Sequence, residues 1–357
     1  TLGRLVDGLQ VRNHQIQLIR PRQHADDAPQ PTATLSEHLQ RGVALPRYEG
    51  LKMGLPAKAA LTKLWTLQRP DVVQIATEGP LGWSALAVAN KLRLPVASDF
   101  HTNFHSYSSH YGLGLLRRAI VAYLRKFHNK ADVTLVPTEG IRRELVASGY
   151  ENIEVIGRGV DTRLFHPGQR SAALRAQWGV CAGEPVALYV GRLAAEKNLA
   201  LVFRAWDAMR EADPTVRLVL VGDGPERASW QAKRPEAIFC GTQVGEALAA
   251  HYASADVFLF PSLTETWGNV TIEAMASGLA VVAYDCAAAQ EVIRHGETGL
   301  KTAPEDESGF IAQAVSLAGA DALRQRLGRA AAARAAQLSW DAIVDAFERV
   351  LLRLAQP

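Results

Sequence analysis

Runs of consecutive apolar residues, short and regularly spaced, dominate the chain. In the first half they are "HQIQLIRP", "DVVQIA", "PVASDFHTN", "ADVTLVPT" and "IEVIGRGVD". In the second half they are "PVALYVGRL", "VRLVLVGDG", "AIFCGT", "ADVFLFPS" and "AVVAYD". These runs lack the alternation of a half-exposed strand. They suit strands buried on both faces of a parallel sheet. Between them lie segments with Ala, Leu and Arg at three-to-four spacing, the period of amphipathic helices. Repeated strand–helix units of this kind predict an α/β fold of two doubly wound, Rossmann-like domains. The break is expected near "DTRLFHPGQRSAAL", punctuated by Pro167 and Gly168, because a fresh series begins at Val186. The expected domains are 1–167 and 168–338, followed by 339–357. That last segment, "SWDAIVDAFERVLLRLA", is an amphipathic helix with Ile343, Phe347, Val350, Leu351 and Leu354 on one face.

The opening "TLGRLVDGLQVRNHQIQLIRP" reads as helix then strand. A doubly wound domain opens with a strand and a glycine-rich turn, so both are expected to be missing from this sequence. The length of 357 residues accommodates two domains. Cys181, Cys240 and Cys286 are far apart and form no metal-binding spacing. They read as small apolar residues in a reducing compartment, with neither disulfides nor zinc. No apolar run reaches the roughly 20 residues of a membrane span. Net charge is +3, but residues 1–167 hold 21 Lys/Arg against 14 Asp/Glu, and the remainder 18 against 22. A basic first half suits an anionic partner, lipid headgroups or a charged acceptor, or is ordinary surface variation. The excess is modest and no recognition motif accompanies it, so nucleic acid is not expected as a partner.

Candidate chemistry concentrates beyond strand ends, where open α/β sheets bind ligands. "SLTETWGNVTIEAMASG" carries Glu265 and Glu273. Eight residues of helix span about 12 Å. Glycosidase carboxylates stand roughly 5–9.5 Å apart, so hydrolysis is disfavoured. The better fit is a binding strip: a carboxylate accepts hydrogen bonds from vicinal sugar hydroxyls. Free amides around Thr266, Trp267, Gly268 and Asn269 would meet a phosphate at a helix start. Two glutamates stabilising a helix dipole are the plainer alternative. "VALYVGRLAAEKN" places Arg192 and Lys197 after Gly191, with Asn198 expected to cap the next helix. Two cations there suit a diphosphate leaving group, or are surface charges of a solvated loop. Gly222 opens a tight turn in "VLVGDGPE" that permits backbone approach. A nucleobase is expected near Thr242–Val244. His101, in "SDFHTNFHSYSSHYG", is expected to end a strand and donate to a sugar or acceptor hydroxyl; a polar loop is the alternative. Residues 114–130, "GLLRRAIVAYLRKFHNK", form a basic amphipathic helix, suited either to an anionic membrane surface or to a solvated domain face.

Taken together, "GRLAAEKN", "VGDGP", "ASADVFLFPSLTETWGNVTIEAMASG" and "GETGL", in that order, resemble the family 4 retaining glycosyltransferases of the GT-B fold. "SDFHTNF" and "VIGRGVDTRLFHP" resemble the subgroup containing bacterial GDP-mannose-dependent α-mannosyltransferases and sulfoquinovosyl-diacylglycerol synthases. The resemblance implies two domains facing a cleft, with the last helix crossing back to the first. It implies that Arg192 and Lys197 neutralise the diphosphate, Glu265 holds the transferred sugar, Glu273 the ribose, and His101 the sugar. Gly191, Gly222, Val244, Trp267, Gly268, Asn269 and Val270 complete the implied donor site. Neither metal nor cofactor is implied. The implied reaction moves a hexose, mannose from GDP-mannose first among them, to a lipid-linked or glycan hydroxyl. UDP-sugar-dependent glycolipid synthesis, a nucleotide-sugar 2-epimerase and a sugar-nucleotide binder without turnover are the alternatives. The implied location is cytoplasmic, peripheral to the inner membrane face. Two departures stand out: "CAAAQEVI" lacks a Gly-Gly pair before its glutamate, and Trp267 stands where Phe is commoner.

Overall fold

The computed structural model describes residues 2–44, 52–100, 117–265 and 267–356, excluding the side chains of residues 117 and 118. His101, Thr266 and the first part of 114–130 therefore lie outside the described residues. The chain divides into two compact units, residues 1–157 with 340–357, and residues 158–339.

In the first unit the described strands fall into three sheets. Strands β1 (Ile16–Pro21) and β2 (Leu35–Gln40) pair in parallel. Strands β3 (Gly42–Ala44) and β4 (Lys52–Gly54) pair antiparallel. Strands β5 (Val73–Ile75), β6 (Val96–Asp99), β7 (Val133–Val136) and β8 (Ile153–Val155) form one parallel sheet in chain order. Strands β2, β3 and β4 were not expected from sequence. Their residues are mostly half-exposed, polar residues interrupt "LSEHLQ", and β3 and β4 are only three residues long, so no long apolar run marks them. One core cluster joins Leu61 and Trp65 of the helix Lys58–Leu67 to Val73, Ile75, Leu86, Val96 and Phe127.

The second unit holds a single six-stranded sheet, and every neighbouring pair in it is parallel. Its strands are β9 (Val186–Val190), β10 (Arg217–Val221), β11 (Ile238–Phe239), β12 (Val257–Phe260), β13 (Ala280–Tyr284) and β14 (Leu300–Thr302). Their order is β11-β10-β9-β12-β13-β14. Numbered within the unit this is 3-2-1-4-5-6, the doubly wound order whose direction reverses between the first and fourth strands. β9, β12 and β13 are buried at every position, which is why their sequences read as continuous apolar runs.

The boundary falls ten residues earlier than the expected 167. Val160 and Phe165 are buried in the core of the second unit, and the Val160 amide donates to Leu338 O at 2.9 Å. Apolar burial, rather than the Pro167–Gly168 punctuation, decides where that unit begins. The closing helix Trp340–Ala355 belongs to the first unit. Its Val344, Phe347 and Val350 share a core cluster with Leu5, Ala97, Val133 and Leu135. Gly8 of the helix Leu2–Val11 lets Val344 approach: a Cβ there would stand 2.5 Å from Val344 Cγ2.

Candidate functional site at the strand reversal

The loops that follow β9 and β12 meet where the strand order of the second unit reverses. After β9 the chain turns at Gly191 and continues through a 3₁₀ turn, Ala195–Lys197, into the helix Leu199–Ala212. After β12 it runs through Ser262–Glu265 to the helix Asn269–Ala276. Two contacts stitch the loops together. Lys197 Nζ forms an ion pair with Glu265 Oε1. Thr264 Oγ1 donates to Glu196 O at 3.3 Å. Ser262, only 3% exposed, donates from Oγ to the same Glu265 Oε1 at 3.1 Å.

Glycines set the floor of this region. The Gly191 amide donates to Val221 O at 3.0 Å and the Gly222 amide to Gly241 O at 2.8 Å, joining the ends of β9, β10 and β11. Gly222 adopts φ +134, and a Cβ on it would lie 1.9 Å from Gly191 O. No side chain fits so close an approach. Tyr189, fully buried, donates from its hydroxyl to Arg192 O at 3.1 Å and so pins the loop that carries Arg192. Burial drives the Tyr189 phenol well above its usual range, with the charges of Glu265 and Glu196 adding to it, so it stays a neutral donor. The Arg192 side chain itself is 63% exposed and stands 3.7 Å from Glu196 Oε1.

Glu273 lies about one turn into the helix Asn269–Ala276. It accepts from the hydroxyl of fully buried Tyr252 at 3.0 Å. Burial raises the Glu273 carboxyl; the Tyr252 hydrogen bond pulls the other way. Gly268, at φ +86, precedes this helix. The helix thus begins at Asn269, and Trp267 belongs to the loop. Trp267 is 7% exposed, and its Nε1 has no partner among the described residues. A small cleft is lined by Ser262, Glu265, Trp267, Tyr284, Cys286 and Ala287 among others. Burial pushes the Cys286 thiol up to about 11, so it is a neutral side chain there rather than a nucleophile. Within "CAAAQEVI", the segment that lacks Gly-Gly, Ala287 takes φ +49, a left-handed conformation costing roughly 1–2 kcal/mol for a residue with a Cβ.

Of the residues singled out from sequence, Lys197 and Glu265 are in direct contact. Gly191 and Gly222 lie against each other, and Gly268, Asn269, Val270 and Glu273 share one helix start. Val244 precedes the helix Gly245–Ser254 and is 73% exposed. Asn198 does occupy the position before the helix Leu199–Ala212, but at φ +54 and without a side-chain cap bond. Its left-handed turn, rather than capping, is what it supplies. The apolar positions Leu124 and Phe127 of the basic helix are buried, leaving Tyr123, Arg125, Lys126 and Lys130 outward. Sequence reasoning missed Ser262, Tyr252 and Tyr189. Each is one side chain inside an apolar run or helix, and only the fold brings it against a glutamate or a loop carbonyl.

Residues 1–164 match the model of "Glycosyltransferase Family 4" and residues 184–319 that of "Glycosyl transferases group 1". A GDP-mannose-dependent alpha-mannosyltransferase of Mycobacterium tuberculosis is 33% identical over 352 residues, 96% of this chain and 89% of that one. The sulfoquinovosyl transferase SQD2 of Arabidopsis thaliana is 31% identical over 85% of this chain and 60% of its own. Among solved structures, sucrose-phosphate synthase from Thermosynechococcus elongatus superposes with a TM-score of 0.77 at 21% identity, covering 98% of this chain and 91% of that one.

Proposed function

The chain belongs to glycosyltransferase family 4 and is a hexosyltransferase of GT-B fold, and we propose that it transfers mannose from GDP-mannose to a lipid-linked or glycan hydroxyl. Family membership sets aside binding without turnover. The observation that carries the reading is the meeting of Lys197, Glu265 and Ser262 at the strand reversal, where doubly wound sheets bind nucleotides. Lys197 and Arg192 would hold the diphosphate, on which negative charge grows as the sugar leaves. Preorganised cations stabilise that charge without reorganising at the moment of reaction. Glu265 Oε2, which has no hydrogen bond among the described residues, would accept from hydroxyls of the transferred sugar. Glu273, held by Tyr252, would accept from the ribose, and the backbone glycines Gly191 and Gly222 would let the phosphates approach. Trp267, Gly268, Asn269 and Val270 would frame the sugar and phosphates at the helix start, and Val244 would lie beside the base. His101, outside the described residues, keeps its proposed role toward the sugar.

Mannose and guanine rest on the mannosyltransferase relatives; a UDP-sugar donor and a glycolipid product are the second reading, kept because a sulfoquinovosyl transferase is also among the relatives. Thermal-shift titration separates them, because a ligand that binds only the folded chain raises its melting temperature. Stabilisation by GDP and GDP-mannose alone is the expected result. Stabilisation by UDP and UDP-glucose alone would overturn mannose and keep the fold of the argument. Lys197→Ala should lower turnover by about 10²–10³-fold, the usual cost of removing one charge-stabilising donor.

No helix among the described residues is long and apolar enough to cross a membrane. We propose peripheral contact with the cytoplasmic face through residues 114–130. Since Leu124 and Phe127 are buried, the contact would be electrostatic through Arg125, Lys126 and Lys130. Binding to anionic vesicles that disappears at high salt is the expected signature; salt-resistant binding would argue for insertion instead.

A further inference from the structure

Both cations assigned to the diphosphate are already engaged by carboxylates of this chain, and unequally. Arg192 is exposed and reaches Glu196 only at 3.7 Å. Lys197 is bound directly to Glu265, with 17% and 20% of the two side chains exposed. Glu265 Oε1 takes both Lys197 Nζ and Ser262 Oγ, while Oε2 has no hydrogen bond among the described residues. One oxygen is therefore anchored twice and the other is presented. A lysine ammonium is a compact point charge with three rotatable donors, so it can move between anions on a small change of its stem. A diphosphate carries more charge than a carboxylate and would draw it.

We propose that Glu265 and the donor's diphosphate compete for Lys197, and that Ser262 is the positioning residue that keeps Glu265 in place when they do. The inference rests on the donor-site reading above. Ser262 suits the task because it is buried and its own carbonyl faces Cys286 Sγ at 3.7 Å. The loop is fixed on both sides, so the hydroxyl stays aimed at the carboxylate. Thr264, bonded to Glu196 O, keeps the two loops together while the lysine shifts. The consequence is a built-in coupling. Nucleoside diphosphate alone must give up the Lys197–Glu265 pair, whereas a nucleotide sugar offers hydroxyls to the carboxylate that the lysine leaves. Coupling of this sort is reciprocal: whatever strengthens the carboxylate's hold on sugar eases the lysine's move to phosphate.

The test is a double-mutant cycle read by calorimetry, with GDP and UDP as probes on the full chain. Glu265→Gln should bind the nucleoside diphosphate about two- to fivefold tighter than wild type, the scale of one partly exposed ion pair. In a Lys197→Met background the same substitution should change nothing. An equal gain in that background would show general repulsion of the anion and overturn the competition, as would no gain at all. Ser262→Ala should bind nucleoside diphosphate like wild type but lose the extra affinity for nucleotide sugar, raising the donor KM more than it lowers kcat. Ser262→Thr, which keeps the hydroxyl, should restore it. An undiminished sugar preference in Ser262→Ala would overturn the positioning role. If wild-type protein binds neither GDP nor UDP, the donor-site reading itself falls, and the inference with it.

Discussion

The two units solve the same packing problem differently. The second gathers its strands into one sheet around a single large core, with Tyr189, Trp206, Phe258 and Tyr284 fully or almost fully buried. The first spreads its described strands over three small sheets and three smaller core clusters, and borrows the helix Trp340–Ala355 to finish one of them. In the second unit the candidate site rests on backbone contacts that tolerate no added atom. In the first, the polar interior is a side-chain network. His128, fully buried, lies 3.2 Å from Glu78 Oε1 and 2.9 Å from Ser98 Oγ, with Thr134 Oγ1 3.1 Å from the same serine. Its serine is fully buried, which suits a structural role rather than nucleophilic attack. The lesson is that the second unit is built rigid around its candidate site and the first unit is built adjustable.

The sharpest way to break that comparison is Gly222→Ala. The new Cβ would lie 1.9 Å from Gly191 O at a backbone φ of +134, so both strain and collision oppose it. A loss of roughly 3 kcal/mol or more is expected. A thermal melt checks it; a shift of only a degree or two would mean that the glycine contacts are not what fixes the site loops. Next in size is Gly8→Ala in the first unit, where the Cβ would stand 2.5 Å from Val344 Cγ2. Side chains and a whole helix can give way there, so about 1–3 kcal/mol is expected. Faster hydrogen exchange across residues 340–355 should accompany it. A cost as large as that of Gly222→Ala would erase the distinction between rigid and adjustable units.

The units also differ in how acid should act on them. In the first, hydrogen bonds from Arg20 and from the Gln23 amide hold the Asp27 carboxyl well below its usual range. Its contribution is present above the ordinary carboxylate pKa and is lost as pH falls below it. In the second, burial raises the Glu273 carboxyl. Its contribution runs the other way: present below the ordinary pKa and lost as pH climbs through the raised one. Asp27→Asn should therefore flatten the acid limb of the stability profile, and Glu273→Gln the limb on the rise from acid toward neutral. Chemical denaturation across pH 3–7 reads both. Identical profiles for the two variants would remove the contrast.

Legibility from sequence followed the same divide. β9, β12 and β13 were readable because burial on both faces leaves an unbroken apolar record. β2, β3 and β4 were not, because half-exposed strands carry polar residues such as Glu37, His38 and Lys52 that look like loop. The second-unit candidate site was readable as far as its loops: Arg192, Lys197, Glu265 and Glu273 stand out by charge beyond apolar strands. Ser262 and Tyr252 were invisible, since a hydroxyl earns its meaning only from what the fold sets opposite it. The boundary was expected at 167 and the chain divides at 157, for a related reason. Pro167 and Gly168 mark a local turn, whereas the domain edge is decided by where Val160 and Phe165 are buried.

The smallest expected effect has the opposite sign, and for that reason it sharpens the comparison most cleanly. Gly3 lies in the helix Leu2–Val11 of the first unit, and a Cβ built on it meets nothing within 4 Å. Glycine in a helix costs backbone entropy that alanine does not, about 0.5–1 kcal/mol in an interior and the lower end of that range in a first turn. Gly3→Ala should therefore stabilise by roughly 0.5 kcal/mol. The chemical change is identical to that in Gly222→Ala, one added methyl group. The difference between the two outcomes then measures what the site loops demand of their backbone, free of any difference in side-chain chemistry. A destabilised Gly3→Ala would mean that a neighbour crowds that helix face, and that the first unit is packed more tightly than its split sheets imply.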